Sequence, residues 1–156
     1  MQDGKASQTA QYIAFCRALE TQEQPARRLF NDPFAFAQLS GSYRLFARMA
    51  RLPLLGKLVY AILDLGWPYS RSSAVVRTRA IDDLVLDAIR SGASQLVLLG
   101  AGLDSRGCRL HEAEGIEVFE VDHPATQCMK RERLHAFMGK LPTNVRYVSW
   151  ISSETP

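Results

Sequence analysis

The sequence predicts an α/β fold in which a helical region precedes a parallel β-sheet. Residues 1–92 carry mostly helical patterns, which are interrupted by short clusters of turn-forming Gly, Pro and Ser. From residue 93 onward, short apolar runs alternate with helical stretches, the pattern that is typical of βαβ units. We therefore divide the chain into a helical N-terminal region, 1–92, and a sheet-forming region, 93–156.

The sheet-forming region contains three predicted strands, LVLL at 96–99, IEVFEV at 116–121 and VRYVSW at 145–150. Helical stretches are expected between them, at 104–113 and 124–139. Ligands of open α/β sheets bind beyond the carboxyl ends of the strands. A binding site is therefore expected where the first two strands end.

Composition narrows the function classes. With 156 residues, 47% of them hydrophobic and 22% charged, the chain is an ordinary globular sequence of about one domain or slightly less. The net charge is only +3, and the basic residues do not interleave with aromatic ones along one surface. The sequence therefore gives no indication of a nucleic-acid partner.

One apolar segment, residues 43–67, is interrupted by five charged side chains and fails as a membrane span. A pair of packed helices that divides near Pro53 and Gly56 is the favoured interpretation. The alternative is an amphipathic helix that lies on a membrane surface. The first twelve residues, MQDGKASQTAQY, lack the basic-then-apolar order of a secretory signal.

The cysteines Cys16, Cys108 and Cys128 are odd in number and widely spaced. This pattern predicts reduced thiols and a cytoplasmic location. The three histidines are scattered, and no pair of potential ligands has zinc spacing, so no metal site is assigned.

The turn Gly100-Ala101-Gly102 follows the first predicted strand. Glycine permits positive φ angles and removes the Cβ that would keep a ligand away from the backbone. A helix that begins after the turn would direct its free N–H groups into the same space. The turn is either a ligand cradle or a tight strand-to-helix connection, and this motif alone does not decide between them.

Asp122 ends the second predicted strand, 20 residues after Gly102. An acid at that position can accept hydrogen bonds from both hydroxyls of a ribose. The alternative is that Asp122 only caps the helix that Pro124 opens, and the two roles are compatible. The two strand ends together favour a ribose-bearing ligand. A dinucleotide is less favoured, because Ser105 occupies the position of the third glycine of the GxGxxG motif.

The predicted helix 74–91 has one apolar stripe, formed by Ile81, Leu84, Val85 and Ala88. Arg77 aligns with this stripe, whereas Arg79 lies off it and is expected to pair with Asp83 in solvent. A guanidinium on a buried face needs an anion, and no acid nearby in the sequence shares that face. A ligand carboxylate is therefore the favoured partner of Arg77, and the alternative is that the side chain reaches water from the helix start.

The runs LVLLGAGLDSRGCRL and VFEVDHP, preceded by RTRAIDD, closely resemble the leucine carboxyl methyltransferase family and its bacterial relatives. These are class I S-adenosylmethionine-dependent methyltransferases. The stretches SQTAQYIAFCRALE and LFNDPFA resemble the same bacterial branch, so the resemblance covers nearly the whole chain. It implies a Rossmann-like sheet, S-adenosyl-L-methionine as cofactor, a small-molecule methyl acceptor and N-terminal helices that form a lid.

The resemblance also implies roles for individual residues. Arg77 would hold the carboxylate of the cofactor, Gly100, Ala101 and Gly102 would pass beneath its methionine part, and Asp122 would bind its ribose. No catalytic residue is assigned.

Asp104 and Arg106 match the family motif as well. The expectation is that they fix the loop, with Arg106 paired to an acid such as Glu120.

The end of the sequence departs from the family pattern. After the third strand, relatives usually continue with an acid, as in VPIDL, but no acid occupies the corresponding place near Ile151 and Ser152. Strands four to seven and the acceptor-binding residues are also expected to be absent from this sequence. The free edge of the LVLL strand would then be exposed and would promote self-association.

Two functions fit these observations. One is O-methyl transfer from S-adenosyl-L-methionine to a small molecule or carboxylate. In that case the 156-residue chain is expected to be inactive by itself. The other is a non-catalytic nucleotide-binding or interaction module that retains the glycine turn.

Overall fold

The computed structural model describes residues 8–150. The helices are α1 (Gln8–Gln22), α2 (Pro33–Gln38), α3 (Gly41–Met49), α4 (Pro53–Gly66), α5 (Ser70–Arg90), α6 (Arg106–Arg109), a 3₁₀ helix (His111–Gly115) and α7 (Pro124–Met138). The strands are β1 (Gln95–Leu99), β2 (Glu117–Asp122) and β3 (Val145–Ser149). The predicted order, helices first and a βαβ-type region second, is confirmed.

The N-terminal helices begin where the sequence provides starting signals. The side chain of Asp32 accepts hydrogen bonds from the backbone N–H groups of Phe34 and Ala35, and Pro33 occupies the first turn of α2. Pro53 begins α4 in the same way. A Cβ on Gly56 would lie 2.5 Å from the carbonyl oxygen of Ala50, so glycine is required for α3 and α4 to approach this closely. The predicted pair of helices within 43–67 is confirmed.

The three strands form one parallel sheet in the order β1-β2-β3. Leu99 pairs with Val121, and Val121 pairs with Val148, so the strands end close together at one edge of the sheet. All three predicted strands are confirmed to within a residue or two. The helix predicted at 124–139 is α7, whereas 104–113 is divided between α6 and the 3₁₀ helix, because Leu110 adopts an extended conformation between them.

Three hydrophobic cores hold these elements together, and the third, formed by Cys16, Phe30, Ala74 and Val75, joins α1 to α5. Phe15, Leu19 and Leu39 form the core of the N-terminal helices, and Leu103, which directly follows the glycine turn, belongs to the same cluster. The second core lies beneath the sheet and includes Val118. The helical region is thus packed directly against the loop that follows β1.

The outer side of β1 has no partner strand within residues 8–150, as expected for the edge of this sheet. Val97 is 54% exposed and Leu99 is 79% exposed. Ile81 and Leu84 of α5 are exposed as well. These four apolar side chains form what we call the β1 edge surface.

The predicted buried stripe of α5 is therefore wrong for the described chain. The buried residues of α5 are Ala74, Val75, Thr78 and Asp82. This face contacts α1 and the loop after β1, and it contains Asp82, whose charge is neutralised by two arginines described below. Of the predicted apolar stripe, Val85 is partly buried against the core beneath the sheet, whereas Ile81 and Leu84 belong to the exposed β1 edge surface.

No helix within 8–150 is long and apolar enough to cross a membrane. Cys16, Cys108 and Cys128 form no disulfide with one another.

Candidate functional site

A cavity of about 640 Å³ lies at the carboxyl ends of β1 and β2, a volume that is typical of ligand sites. We call it the strand-end cavity. Its lining includes every residue that the sequence assigned to cofactor binding, namely Arg77, Gly100, Ala101, Gly102 and Asp122. It also includes Thr9, Ala10 and Ile13 from α1, so the first helix forms one wall.

The two glycines of the turn have different structural roles. Gly100 has φ +62° and Gly102 has φ +50°, and both lie in the left-handed region that favours glycine. A Cβ on Gly100 would meet nothing within 4 Å, so the space above its backbone is open. A Cβ on Gly102 would lie 3.3 Å from the Cβ of Ala10, so this glycine allows α1 to approach the turn.

Asp122 links the end of β2 to the glycine turn. One carboxylate oxygen accepts a hydrogen bond from the backbone N–H of Gly102, and the other accepts from that of His123 at 2.6 Å. The cap of α7 is instead His123, whose Nδ1 accepts from the N–H of Ala125 at 3.2 Å. The alternative of Asp122 as the helix cap is therefore wrong. Because each carboxylate oxygen has more than one acceptor site, Asp122 retains capacity for ligand hydroxyls.

Arg77 faces the strand-end cavity from α5, but its side chain is exposed rather than buried. Within residues 8–150 it forms no ion pair. Arg79 points elsewhere: its Nε donates to the carboxylate of Asp83 at 2.9 Å, and its Nη1 donates to the carbonyl of Leu29 at 2.8 Å. The predicted Arg79–Asp83 pair is confirmed. The buried face expected for Arg77 is not found, because Arg77 is exposed, as Arg79 is, and lies outside the buried face of α5.

Arg106 does not pair with Glu120, so that expectation was wrong. Its guanidinium contacts Asp104 and donates from Nε to Asp82 of α5 at 2.8 Å. Glu120 is instead paired with Lys130, at 2.6 Å, in a buried contact between β2 and α7. Sequence spacing could not reveal this arrangement, because Asp82 reaches Arg106 only through the packing of α5 on the loop.

Arg109 completes a buried charge network around Asp82. Its two terminal nitrogens donate to the two oxygens of Asp82, at 2.7 and 2.8 Å. Asp82 thus forms ion pairs with both Arg106 and Arg109, and Asp104 provides a second negative charge. Burial is the largest single influence on Asp104 and opposes its ionisation. The Arg106 and Arg17 guanidinium groups, the backbone N–H of Arg106 and Lys130 together outweigh it and lower the pKa of this carboxyl.

The network extends to the N-terminal helices through Arg17 and Asp32, both buried. Their side chains form an ion pair of 3.2 Å, and Asp32 also accepts a hydrogen bond of 2.6 Å from the Ser105 hydroxyl. Arg17 donates to the carbonyl of Leu103. The loop after the glycine turn is therefore fixed to α1 and to the start of α2 by buried polar contacts.

Sequence reasoning did not assign roles to Arg17, Asp32 or Asp82. A partial signal existed for Asp32, which lies in LFNDPFA, one of the stretches that carried the family resemblance. Its position before proline also marks a helix start. No comparable local signal marked Arg17 or Asp82.

The thiols near the site are not activated. Burial raises the pKa of Cys16 to about 11 and that of Cys108 to about 12. Both are therefore protonated at neutral pH and unsuited to act as nucleophiles. Residues 8–150 contain no cluster of three His, Cys, Asp or Glu side chains that could hold a metal ion.

Comparison with known proteins decides the family. The family model for leucine carboxyl methyltransferase matches residues 10–150. The chain belongs to this family. The resemblance in the glycine turn and the second strand is thereby confirmed, together with an α/β fold that contains the first part of a Rossmann-like methyltransferase sheet.

Similar proteins occur in several organisms. The chain is 42% identical to a Streptomyces coelicolor protein over 75% of the chain and 38% of the relative. It is 35% identical to a Mycobacterium marinum protein and 36% identical to a Mycolicibacterium smegmatis protein, each over 88% of the chain, which covers 44% and 45% of those relatives. All three are named provisionally as S-adenosyl-L-methionine-dependent methyltransferases. The chain spans less than half the length of these relatives.

Proposed function

We propose that this member of the leucine carboxyl methyltransferase family binds S-adenosyl-L-methionine in the strand-end cavity and is the cofactor-binding part of an O-methyltransferase. One observation supports this proposal most strongly. Arg77, the glycine turn and Asp122 come from three separate elements, and all of them line this single cavity. The cofactor has a carboxylate, a methionine chain and a ribose, which match these three groups in chemistry.

Each group suits the part of the cofactor that it would contact. The guanidinium of Arg77 has no ion-pair partner within 8–150 and would form charge-assisted hydrogen bonds with a carboxylate. The open space above Gly100 would admit the methionine chain close to the backbone. Asp122, held by two backbone N–H groups, would accept hydrogen bonds from the ribose hydroxyls.

The bound cofactor would supply an electrophilic methyl group. The protein's contribution is to hold an acceptor oxygen in line with the methyl–sulfur bond at near-attack distance. A carboxylate acceptor is already an anion and needs no general base. We therefore assign no catalytic residue, and the role of the described chain is to bind and orient.

This chain alone is expected to bind the cofactor weakly and to turn over little or no acceptor, because it spans less than half of the relatives and the β1 edge surface leaves the cavity open. Fewer apolar contacts would then cover the ligand.

The free cysteines of the chain also support a cytoplasmic location.

A second candidate function is a non-catalytic nucleotide-binding module. The strand-end cavity is open at the β1 edge surface, and a module that only binds a nucleotide does not need to enclose it. Calorimetry with S-adenosyl-L-methionine, S-adenosylhomocysteine and NAD separates the two, with a labelled methyl-transfer assay run in parallel. We expect heat from the first two ligands and none from NAD. Binding of NAD without any response to S-adenosyl-L-methionine would refute the proposed function.

A further inference from the structure

A second cavity, of about 630 Å³, lies on the opposite side of α1 from the strand-end cavity. We call it the helical cavity, because α1, α3 and α4 enclose it. Its walls are mainly apolar and aromatic, and they include Tyr12, Phe15, Tyr43, Phe46, Ile62 and Trp67. Volume and lining both fall within the usual range for small-molecule sites.

The two cavities meet at Thr9, which lines both of them. On α1, Ala10 and Ile13 face the strand-end cavity, whereas Tyr12 and Phe15 face the helical cavity. This division follows from the 3.6-residue helical repeat, which directs the two sets to different sides. A molecule in the helical cavity would therefore have one end near the cofactor side at the first turn of α1.

The helical cavity is suited to an aromatic ligand. Its described lining contains no Asp, Glu, Lys or Arg. Aromatic side chains already pack against one another in its wall, with ring centroids 6.5 Å apart for Tyr12 and Trp67 and 5.6 Å apart for Phe15 and Tyr43. Such surfaces favour a further ring in a tilted or edge-to-face arrangement.

One polar group in this wall is buried. The hydroxyl of Tyr12 lies beside the side chains of Ser70 and Cys16. Burial raises the pKa of this phenol, so it stays protonated and is available as a donor.

We propose that the helical cavity binds the apolar ring of the methyl acceptor, a small aromatic carboxylic acid or phenol whose oxygen lies toward Thr9. This inference rests on the proposed function. It also places part of the acceptor site within the described chain, in contrast to the expectation from the sequence that these residues are absent.

The reaction balances for both kinds of acceptor. A lone pair of the acceptor oxygen forms the bond to the methyl carbon, the carbon–sulfur bond breaks, and its electron pair remains on sulfur to give S-adenosylhomocysteine. A carboxylate has no proton to lose, whereas a phenol releases its proton to solvent.

Binding of 3-(4-fluorophenyl)propionate and of 4-fluorophenol, followed by fluorine NMR on the full chain, tests this inference. Ile62→Arg places a charge in the helical cavity. Leu58→Arg is the matched control, because Leu58 lies one turn earlier on α4, is 53% exposed against 52% for Ile62, and does not line the cavity. We expect the wild type and Leu58→Arg to bind at least one probe equally well, and Ile62→Arg to bind it at least roughly tenfold more weakly.

A second pair of variants introduces no charge and therefore controls for a folding defect in Ile62→Arg. Phe46→Ala should weaken binding of the probe, whereas Leu45→Ala, whose side chain is also exposed and lies outside the cavity, should not. Every variant is also titrated with S-adenosylhomocysteine, and its affinity for this ligand should equal that of the wild type. Failure of the wild type to bind S-adenosylhomocysteine would refute the proposed function. Normal binding of that ligand, together with absent probe binding or equal probe binding by all variants, would overturn this inference alone.

Discussion

At the scale of single residues, α5 offers a controlled comparison between two arginines that are two positions apart. Arg77 lines the strand-end cavity, whereas Arg79 is held outside it by Asp83 and the carbonyl of Leu29. We predict that Arg77→Ala weakens binding of S-adenosylhomocysteine by about 1.5–3 kcal/mol, the value of a hydrogen bond to a charged group. Arg79→Ala should change it by less than about 0.5 kcal/mol. Equal losses in the two variants, measured by calorimetry, would show that Arg77 does not contact the ligand.

Asp122 is expected both to bind the ligand and to fix the loop after β1. Asp122→Asn should reduce the affinity for S-adenosylhomocysteine, because an amide has one accepting oxygen where a carboxylate has two. It should also lower the melting temperature slightly, since the N–H groups of Gly102 and His123 both depend on this side chain. Asp87→Asn, in an exposed pair with Arg90, is the control. Unchanged affinity in Asp122→Asn would leave Asp122 with the loop-fixing role only.

Several contacts of single residues were predictable, and others were not. The Arg79–Asp83 pair follows from helical spacing alone, and it was predicted correctly. The partner of Arg106 was assigned wrongly, because Asp82 and Arg106 lie on different elements and meet only when α5 packs on the loop. The roles of Arg77, the glycine turn and Asp122 in cofactor binding stay predictions.

At the scale of elements, Asp82 makes α5 an anchor for the loop after β1. Removal of this acid would leave Arg106 and Arg109 buried without their main partner. We predict that Asp82→Ala lowers the free energy of unfolding by about 3–5 kcal/mol. Asp83→Ala, which breaks only an exposed pair on the same helix, should cost less than about 1 kcal/mol. Urea denaturation of both variants provides the measurement, and similar small losses would mean that the network contributes little to stability.

Secondary structure was largely predictable because local signals mark it. Pro124 begins a helix where expected, the two helices within 43–67 divide near Pro53, and the apolar runs after residue 93 form the three strands. The buried face of α5 was not predictable in the same way. An apolar stripe shows that a face prefers burial, but the sequence does not show which element covers it, and here Ile81 and Leu84 remain exposed.

At the scale of the whole molecule, the β1 edge surface is the feature with the largest consequence. Among residues 8–150, no strand pairs with the outer side of β1, and its backbone groups there lie beside exposed Val97 and Leu99. Edges of this kind pair readily with other chains. We propose that a strand from a second copy of this chain pairs here.

We therefore predict that the isolated chain forms concentration-dependent oligomers, and that Leu99→Lys reduces them because a charged edge disfavours pairing. Leu54→Lys, at an 82% exposed position on α4 compared with 79% for Leu99, is the control and should behave like the wild type. Sedimentation velocity over a range of concentrations measures the effect. A wild-type chain that stays monomeric throughout would contradict this prediction.

The central claim is that the glycine turn and the end of β2 bind the cofactor, and amide NMR tests it most directly. The ¹⁵N-labelled chain is titrated with S-adenosylhomocysteine, and the backbone amides of Gly100, Ala101, Gly102 and His123 are followed, since these lie on or beside the lining of the strand-end cavity. We predict that they shift together, with one common dissociation constant, and that NAD leaves them unchanged. Saturable shifts confined to other parts of the chain, or no shifts at all, would contradict the claim.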